Sequence, residues 1–169
     1  GKKFLNNQPC ALILGDNFFY GESFQKKLVK ISKKTTSSTI FSYHVFNPSD
    51  YGVIEFDSQN KKVTKITEKP NKPASNQIVT GLYFYDKNVS NYAATLKPSK
   101  RGELEITDLN NIYIKKKLLN VEILGRGFTW FDLGSSINML EASNFVYSKE
   151  KKQGLKIACL EEISYLKKY

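Results

Sequence analysis

The chain has 169 residues, 40% hydrophobic and 13% aromatic, which suits one packed domain and excludes a disordered or fibrous protein. No apolar run approaches the roughly 20 residues that cross a bilayer, so no membrane partner is expected and the cytoplasm is the expected compartment. The formal net charge is +10, but the lysine pairs are scattered from Lys2-Lys3 to Lys151-Lys152 and Arg101 and Arg126 are the only arginines; this pattern reads as solvated surface with a weak pull on anionic substrates, not as a nucleic-acid face.

In chain order, residues 10–14 (Cys-Ala-Leu-Ile-Leu) read as a strand buried on both faces, with Gly15-Asp16-Asn17 as its exit turn. Glu22 to Lys34 reads as a helix with Phe24, Leu28 and Ile31 on one stripe, its acid early and its lysines late. Thr39 to Phe46 is β-branched and aromatic, hence a strand, stopped by Asn47-Pro48. It carries His44, the only histidine, which reads as a structural residue. Val53–Phe56 and Val63–Thr67 read as a hairpin about the Asp57-Ser58-Gln59-Asn60 turn, ended by Glu68-Lys69-Pro70.

Ile78–Tyr85 reads as another strand, Asn88–Leu96 as a short helix, and Glu105–Lys117 as a helix with Ile106, Leu109 and Tyr113 on its apolar stripe. Val121–Leu124 and Phe128–Phe131 flank a Gly125-Arg126-Gly127 loop. Ser135 or Ser136 caps a long helix running to about Lys152, with Gly154 as its stop and Met139, Leu140, Phe145 and Tyr147 as its core residues. Residues 160–169 read as a further helix. Cys10 and Cys159 lack metal-site spacing and read as reduced structural thiols. Strands alternate with helices without repeats, so the class is α/β with a mixed sheet.

Two acids stand at the ends of apolar runs: Asp16 after Leu12-Ile13-Leu14-Gly15, and Asp132 after Phe128-Thr129-Trp130-Phe131. Open α/β sheets bind ligands beyond the carboxyl ends of their strands, and two carboxylates meeting there would suit a hard divalent cation. Each acid taken alone is equally an ordinary turn residue. No Ser/His/Asp or Cys/His constellation is assembled from the rest.

The order of the short motifs is more specific than any one of them. G-D-N-x-F-Y-G at Gly15, Y-G-V-x-E-F-D at Tyr51 and E-K-P at Glu68 come first. V-T-G-L-Y-F-Y-D at Val79, L-K-P-S-x-R-G-E-L-E-I-T-D at Leu96 and G-R-G-x-x-W-x-D-x-G at Gly125 follow. From about Ala11 to Tyr165 the series resembles the glucose-1-phosphate thymidylyltransferases, sugar nucleotidyltransferases that make dTDP-glucose.

That resemblance implies a Rossmann-like nucleotide-diphospho-sugar transferase fold, with a mixed, mostly parallel sheet flanked by helices. It implies transfer of dTMP from dTTP to glucose 1-phosphate, for dTDP-rhamnose or other deoxysugar and surface polysaccharide synthesis. By the same resemblance Asp16 and Asp132 hold Mg2+, and Lys69 binds the sugar phosphate, making these three the catalytic set. Glu68 accepts from glucose hydroxyls; Gly52 and Val79 lay their backbone against the sugar; Tyr83 lines the same pocket. Asn17 lies on the nucleotide side, and Arg101 lies beside the site. The family is oligomeric, commonly tetrameric, so a homo-oligomer is expected.

Three departures from the family pattern shape the expectation. The family's glycine-rich triphosphate loop is absent from these 169 residues, and the last helices usual in the family are missing. Leu133 stands where a threonine commonly follows the metal aspartate. Residues 1–169 are therefore expected to form one partial domain, the sugar-phosphate and metal half, incomplete at the N-terminus and with little turnover alone. Without a base-reading segment, a transferase using UTP or another nucleotide is the alternative enzyme. A non-catalytic sugar-phosphate-binding or assembly subunit is the alternative outside catalysis, and a basic nucleic-acid binder ranks third.

Overall fold

Nine consecutive residues, Gln77 to Tyr85, form the spine of the main sheet, and all are buried or half-buried. The computed structural model describes residues 1–57, 62–99 and 101–169. They fall into two compact units, Gly1–Trp130 and Phe131–Tyr169.

In the first unit the strands are β1 (Cys10–Ile13), β2 (Asn17–Gly21), β3 (Ser38–His44), β4 (Gly52–Phe56), β5 (Val63–Glu68), β6 (Gln77–Tyr85) and β7 (Leu119–Ile123). β8 (Phe128–Asp132) begins there and pairs with β2 in a separate two-stranded sheet. β3 runs antiparallel along one edge of β6, from Thr39 opposite Phe84 to His44 opposite Gln77. The other edge is shared by β4, through Val53 opposite Ile78, and by β1, from Cys10 opposite Tyr85 to Ile13 opposite Leu82. β5 extends the sheet beyond β4, and β7 lies parallel to β3. The register of β3 on β6 shifts between Ile40 and Ser42, which puts a bulge in β6 opposite that point.

The sheet is mixed with helices about it, as expected, but the expected parallel majority is absent. Among the pairings of the described residues only β3 with β7 is parallel. β6 lies between β3 and β4 and runs against both, and β4 lies between β5 and β6 and runs against both, so each of these ladders is antiparallel. β1 differs too: it is a strand, but antiparallel to β6, and Leu12, Ile13 and Leu14 are exposed. A continuous apolar run does not by itself say that both faces are covered. His44 is exposed at the end of β3. The hairpin residues Ser58, Gln59 and Asn60 lie outside the described residues, while β4 and β5 pair as expected.

One face of the sheet packs α4 (Ile106–Lys115) and the short α3 (Val89–Ala93) around Ile40, Ile54, Ile66, Tyr83, Leu109 and Tyr113. Asn111 of α4 ties down β5 at both polar groups of Ile66, donating to its carbonyl at 2.8 Å and accepting from its N–H at 3.0 Å. Buried Asp86 accepts from the Tyr113 hydroxyl at 2.7 Å and from the Asn88 backbone N–H at 3.0 Å. Burial pushes the phenols of Tyr85 and Tyr113 far above their ordinary ionisation range. A second cluster joins Ile31 of α2 (Phe24–Ser32) to Phe41, Leu82 and Leu124. A single helical turn, α1 (Lys2–Leu5), precedes β1.

The second unit carries α5 (Ser136–Gln153) and α6 (Leu160–Lys167). The expected caps are present. Ser135 Oγ accepts from the Asn138 N–H at 3.2 Å, and Gly154 ends α5 at φ 68°, a left-handed conformation that costs glycine nothing. Met139, Leu140 and Tyr147, expected as core, are exposed; Ala142 is the buried residue of α5. Leu140 and Tyr147, seven residues apart, share one exposed face, while Ala142 lies on the opposite side of the helix.

Candidate active site

Three residues expected at the site meet at one corner of the sheet. β4 and β5 pair with Gly52 opposite Glu68. The next residue, Lys69, donates its backbone N–H to the Tyr51 carbonyl at 3.0 Å and adopts φ 41°. A left-handed lysine is a strained choice, of order 1–3 kcal/mol, kept only where its surroundings fix it. Glu68 is half-buried and Lys69 is exposed, side by side in one tight bend.

Thr107, in the first turn of α4 and buried, donates its hydroxyl to Glu68 Oε2. A Cβ at Gly52 would lie 3.2 Å from Thr107 Oγ1 and 3.4 Å from Glu68 Oε2. The buried glycine therefore lets Thr107 and Glu68 pack closely against its backbone, where a side chain would press on both. Thr107 escaped the sequence reading, although it lies in the quoted L-E-I-T-D motif; a threonine at the second position of a helix gives no sign of its partner 39 residues earlier.

The second expected group begins at Asp16, exposed in the turn between β1 and β2. Its Oδ1 accepts from Asn17 Nδ2 at 2.9 Å. Asn17 Oδ1 in turn accepts from the Gly81 N–H at 2.9 Å and from Trp130 Nε1 at 2.7 Å. The Gly81 amide is available because it lies in the β6 bulge, where the ladder is interrupted.

Asp132, the second residue of the second unit, is half-buried; its Oδ1 accepts from the Gly134 N–H at 3.1 Å, and its carbonyl accepts from Asn138 Nδ2 at 2.7 Å. Leu133 beside it is also half-buried. Among the described residues no cluster of three or more His, Cys, Asp or Glu forms a cage. A carboxylate of either unit, taken by itself, can supply one ligand to a hard divalent cation whose other ligands are waters and phosphates.

The remaining expectations have mixed placements. Val79 is half-buried on β6 opposite Ser42. Tyr83 is a core residue, 3% exposed and stacked on Tyr85; burial and then the Glu68 charge push its phenol far above the ordinary range. It backs the corner rather than offering a free hydroxyl. Arg101 is exposed and paired within its own segment, to Glu103 at 3.1 Å and Glu105 at 3.7 Å.

The nucleotidyl transferase family matches this chain over residues 1–149. The chain belongs to that family. Among relatives, a Neisseria meningitidis protein named glucose-1-phosphate thymidylyltransferase is 48% identical over 165 residues, covering 98% of this chain. The chain spans 57% of that relative's length. A solved structure from Bacillus anthracis, described as a glucose-1-phosphate thymidylyltransferase in complex with sucrose, is 35% identical with TM-score 0.73, covering 85% of this chain and 56% of its own. A UDP-glucose pyrophosphorylase complexed with UDP-glucose is 28% identical with TM-score 0.78, covering 88% and 60%. Family membership accounts for the mixed sheet with flanking helices seen here. No helix among the described residues is long and apolar enough to cross a membrane.

Proposed function

We propose that this chain is the sugar-phosphate and cation half of a glucose-1-phosphate thymidylyltransferase. The observation that carries the reading is the Gly52–Glu68–Lys69 corner with its Thr107 brace, in a family member 48% identical to a protein of that name. In the reaction, an oxygen of the sugar phosphate forms a bond to the α-phosphorus of dTTP. The bond from that phosphorus to the oxygen bridging the β-phosphate breaks, and pyrophosphate leaves with its electron pair. The attacking phosphate is already ionised, so the site needs positioning and charge neutralisation more than a general base.

Each residue then has a physical task. Glu68, held by Thr107, accepts from glucose hydroxyls above Gly52, with the backbone of Val79 against the sugar. Lys69 offers a compact ammonium to the sugar phosphate. Asp16 and Asp132 would hold Mg2+, which supplies charge neutralisation on the reacting phosphates when bound. Asn17 holds the Asp16 carboxylate, and Arg101 stays at the margin.

The resemblance further implies a cytoplasmic homo-oligomer feeding dTDP-rhamnose or another deoxysugar into surface polysaccharide. The likeness to UDP-glucose pyrophosphorylase supports a second reading, in which UTP replaces dTTP. The test is the full-length protein incubated with glucose 1-phosphate, Mg2+ and each of four nucleoside triphosphates. Product with dTTP alone supports the first reading, product with UTP alone the second, and no nucleotide-sugar with any of them removes both.

A further inference from the structure

Asn17 sits between two groups that can only donate. The Gly81 backbone N–H and the Trp130 indole N–H both reach the same side-chain atom, at 2.9 Å and 2.7 Å. That atom must be the amide oxygen, since an NH2 cannot accept from them. The other end of the amide is thereby fixed as the NH2, and it is this end that donates to Asp16 Oδ1 at 2.9 Å. Were the amide to flip, two donors would face an NH2 and the Asp16 carboxylate would face an oxygen.

The clamp is packed as well as bonded. A Cβ on Gly81 would lie 2.5 Å from Asn17 Nδ2, so the amide lies flat on a position that only glycine leaves open. Trp130 is 9% exposed, packed with Val53 and Ile78. The Tyr51 ring meets it edge-on at 5.5 Å and the Tyr43 ring at 6.0 Å. An indole held on these sides presents its N–H in one direction. Tyr51 also supplies the carbonyl that accepts from the Lys69 N–H, so the same aromatic contact touches both parts of the site.

We infer that Trp130 is a positioning residue: through Asn17 it orients the Asp16 carboxylate for a divalent cation. The inference rests on the reading of Asp16 as a cation ligand, and the experiment separates the two. In the metal-free full-length protein, hydrogen exchange of the Gly81 amide is compared between wild type and Trp130→Phe, which keeps an aromatic ring and deletes the donor. Mn2+ affinity is then measured by electron paramagnetic resonance for wild type, Trp130→Phe, Gly81→Ala and Asp16→Asn.

The expected result is faster exchange at Gly81 in Trp130→Phe while the Phe84 amide, in the same strand, stays protected. Mn2+ affinity should fall about 5-fold, as for the loss of one hydrogen bond. Gly81→Ala, which presses on the amide from the other side, should lower Mn2+ affinity at least as far and covers the case in which Trp130→Phe does not fold. Unchanged Gly81 exchange overturns the clamp. Faster exchange with wild-type Mn2+ affinity in Trp130→Phe, where Asp16→Asn loses affinity, overturns the link to Asp16. Wild-type affinity in Asp16→Asn instead removes the cation reading of Asp16, leaving the clamp to be judged by Gly81 exchange.

Discussion

Replacing Thr107 by valine isolates the brace on Glu68. The side chain is 4% exposed, and valine keeps its β-branched shape while removing the hydroxyl that donates to Glu68 Oε2. A hydrogen bond to a charged group contributes about 1.5–3 kcal/mol, and because Glu68 is only half-buried, water replaces part of it; about 1–1.5 kcal/mol remains. If Glu68 binds glucose hydroxyls equally in ground and transition states, this loss appears in KM for glucose 1-phosphate, raised about 5- to 10-fold, with kcat nearly unchanged. Steady-state kinetics on the full-length protein, with Thr107→Ser as the variant that restores the donor, measures both. An unchanged KM in Thr107→Val, or a serine variant as impaired as the valine one, refutes the reasoning.

Lys69→Ala should lower kcat/KM for glucose 1-phosphate by at least about 100-fold, as loss of a charge-assisted phosphate contact, while Arg101→Ala, already paired to two glutamates, should change it less than about 3-fold. Gly154→Ala should destabilise the α5 cap by about 1 kcal/mol in thermal unfolding, because φ 68° strains any Cβ; no change in midpoint would contradict that. The phenols of Tyr83, Tyr85 and Tyr113 are all raised from 10.0 by burial as the largest cause, so the folded chain keeps protons that the unfolded chain releases. Their stabilising contribution is complete below pH 10 and is lost as pH rises above it, at up to about 1.4 kcal/mol per pH unit for each tyrosine. Denaturant midpoints at pH 8, 10 and 11 check this, and a flat profile would contradict it.

What the sequence made legible was local chemistry. The cap at Ser135, the stop at Gly154 and the β4–β5 pairing follow from hydroxyl, glycine and β-branched residues acting on their own neighbourhoods. The direction of the strands did not follow from their composition, because Leu12-Ile13-Leu14 reads the same whether its partner is parallel or antiparallel and whether its faces are covered or open. The order of the strands decides it, with β6 set between β3 and β4. The apolar residues of α5 misled in the same way, since an apolar face is not by itself a covered one.

At the site, the order of motifs located Gly52, Glu68 and Lys69, and the fold brings them to one corner. It did not show what holds them. Thr107 meets Glu68 from 39 positions away, and Trp130 meets Asn17 from 113. Such supports depend on register and on the β6 bulge at Gly81, which no single motif displays. Tyr83, whose motif suggested a pocket wall, is buried in its strand and stacked on Tyr85.

The central claim is that the carboxylates and the Glu68–Lys69 corner serve a thymidylyl transfer to glucose 1-phosphate. Its most direct test is product analysis of the full-length protein with dTTP, glucose 1-phosphate and Mg2+, beside Asp16→Asn and Asp132→Asn. The account predicts dTDP-glucose and pyrophosphate in equal amounts from wild type and almost none from either variant. Wild type that forms no nucleotide-sugar, or variants that form it at the wild-type rate, would contradict it.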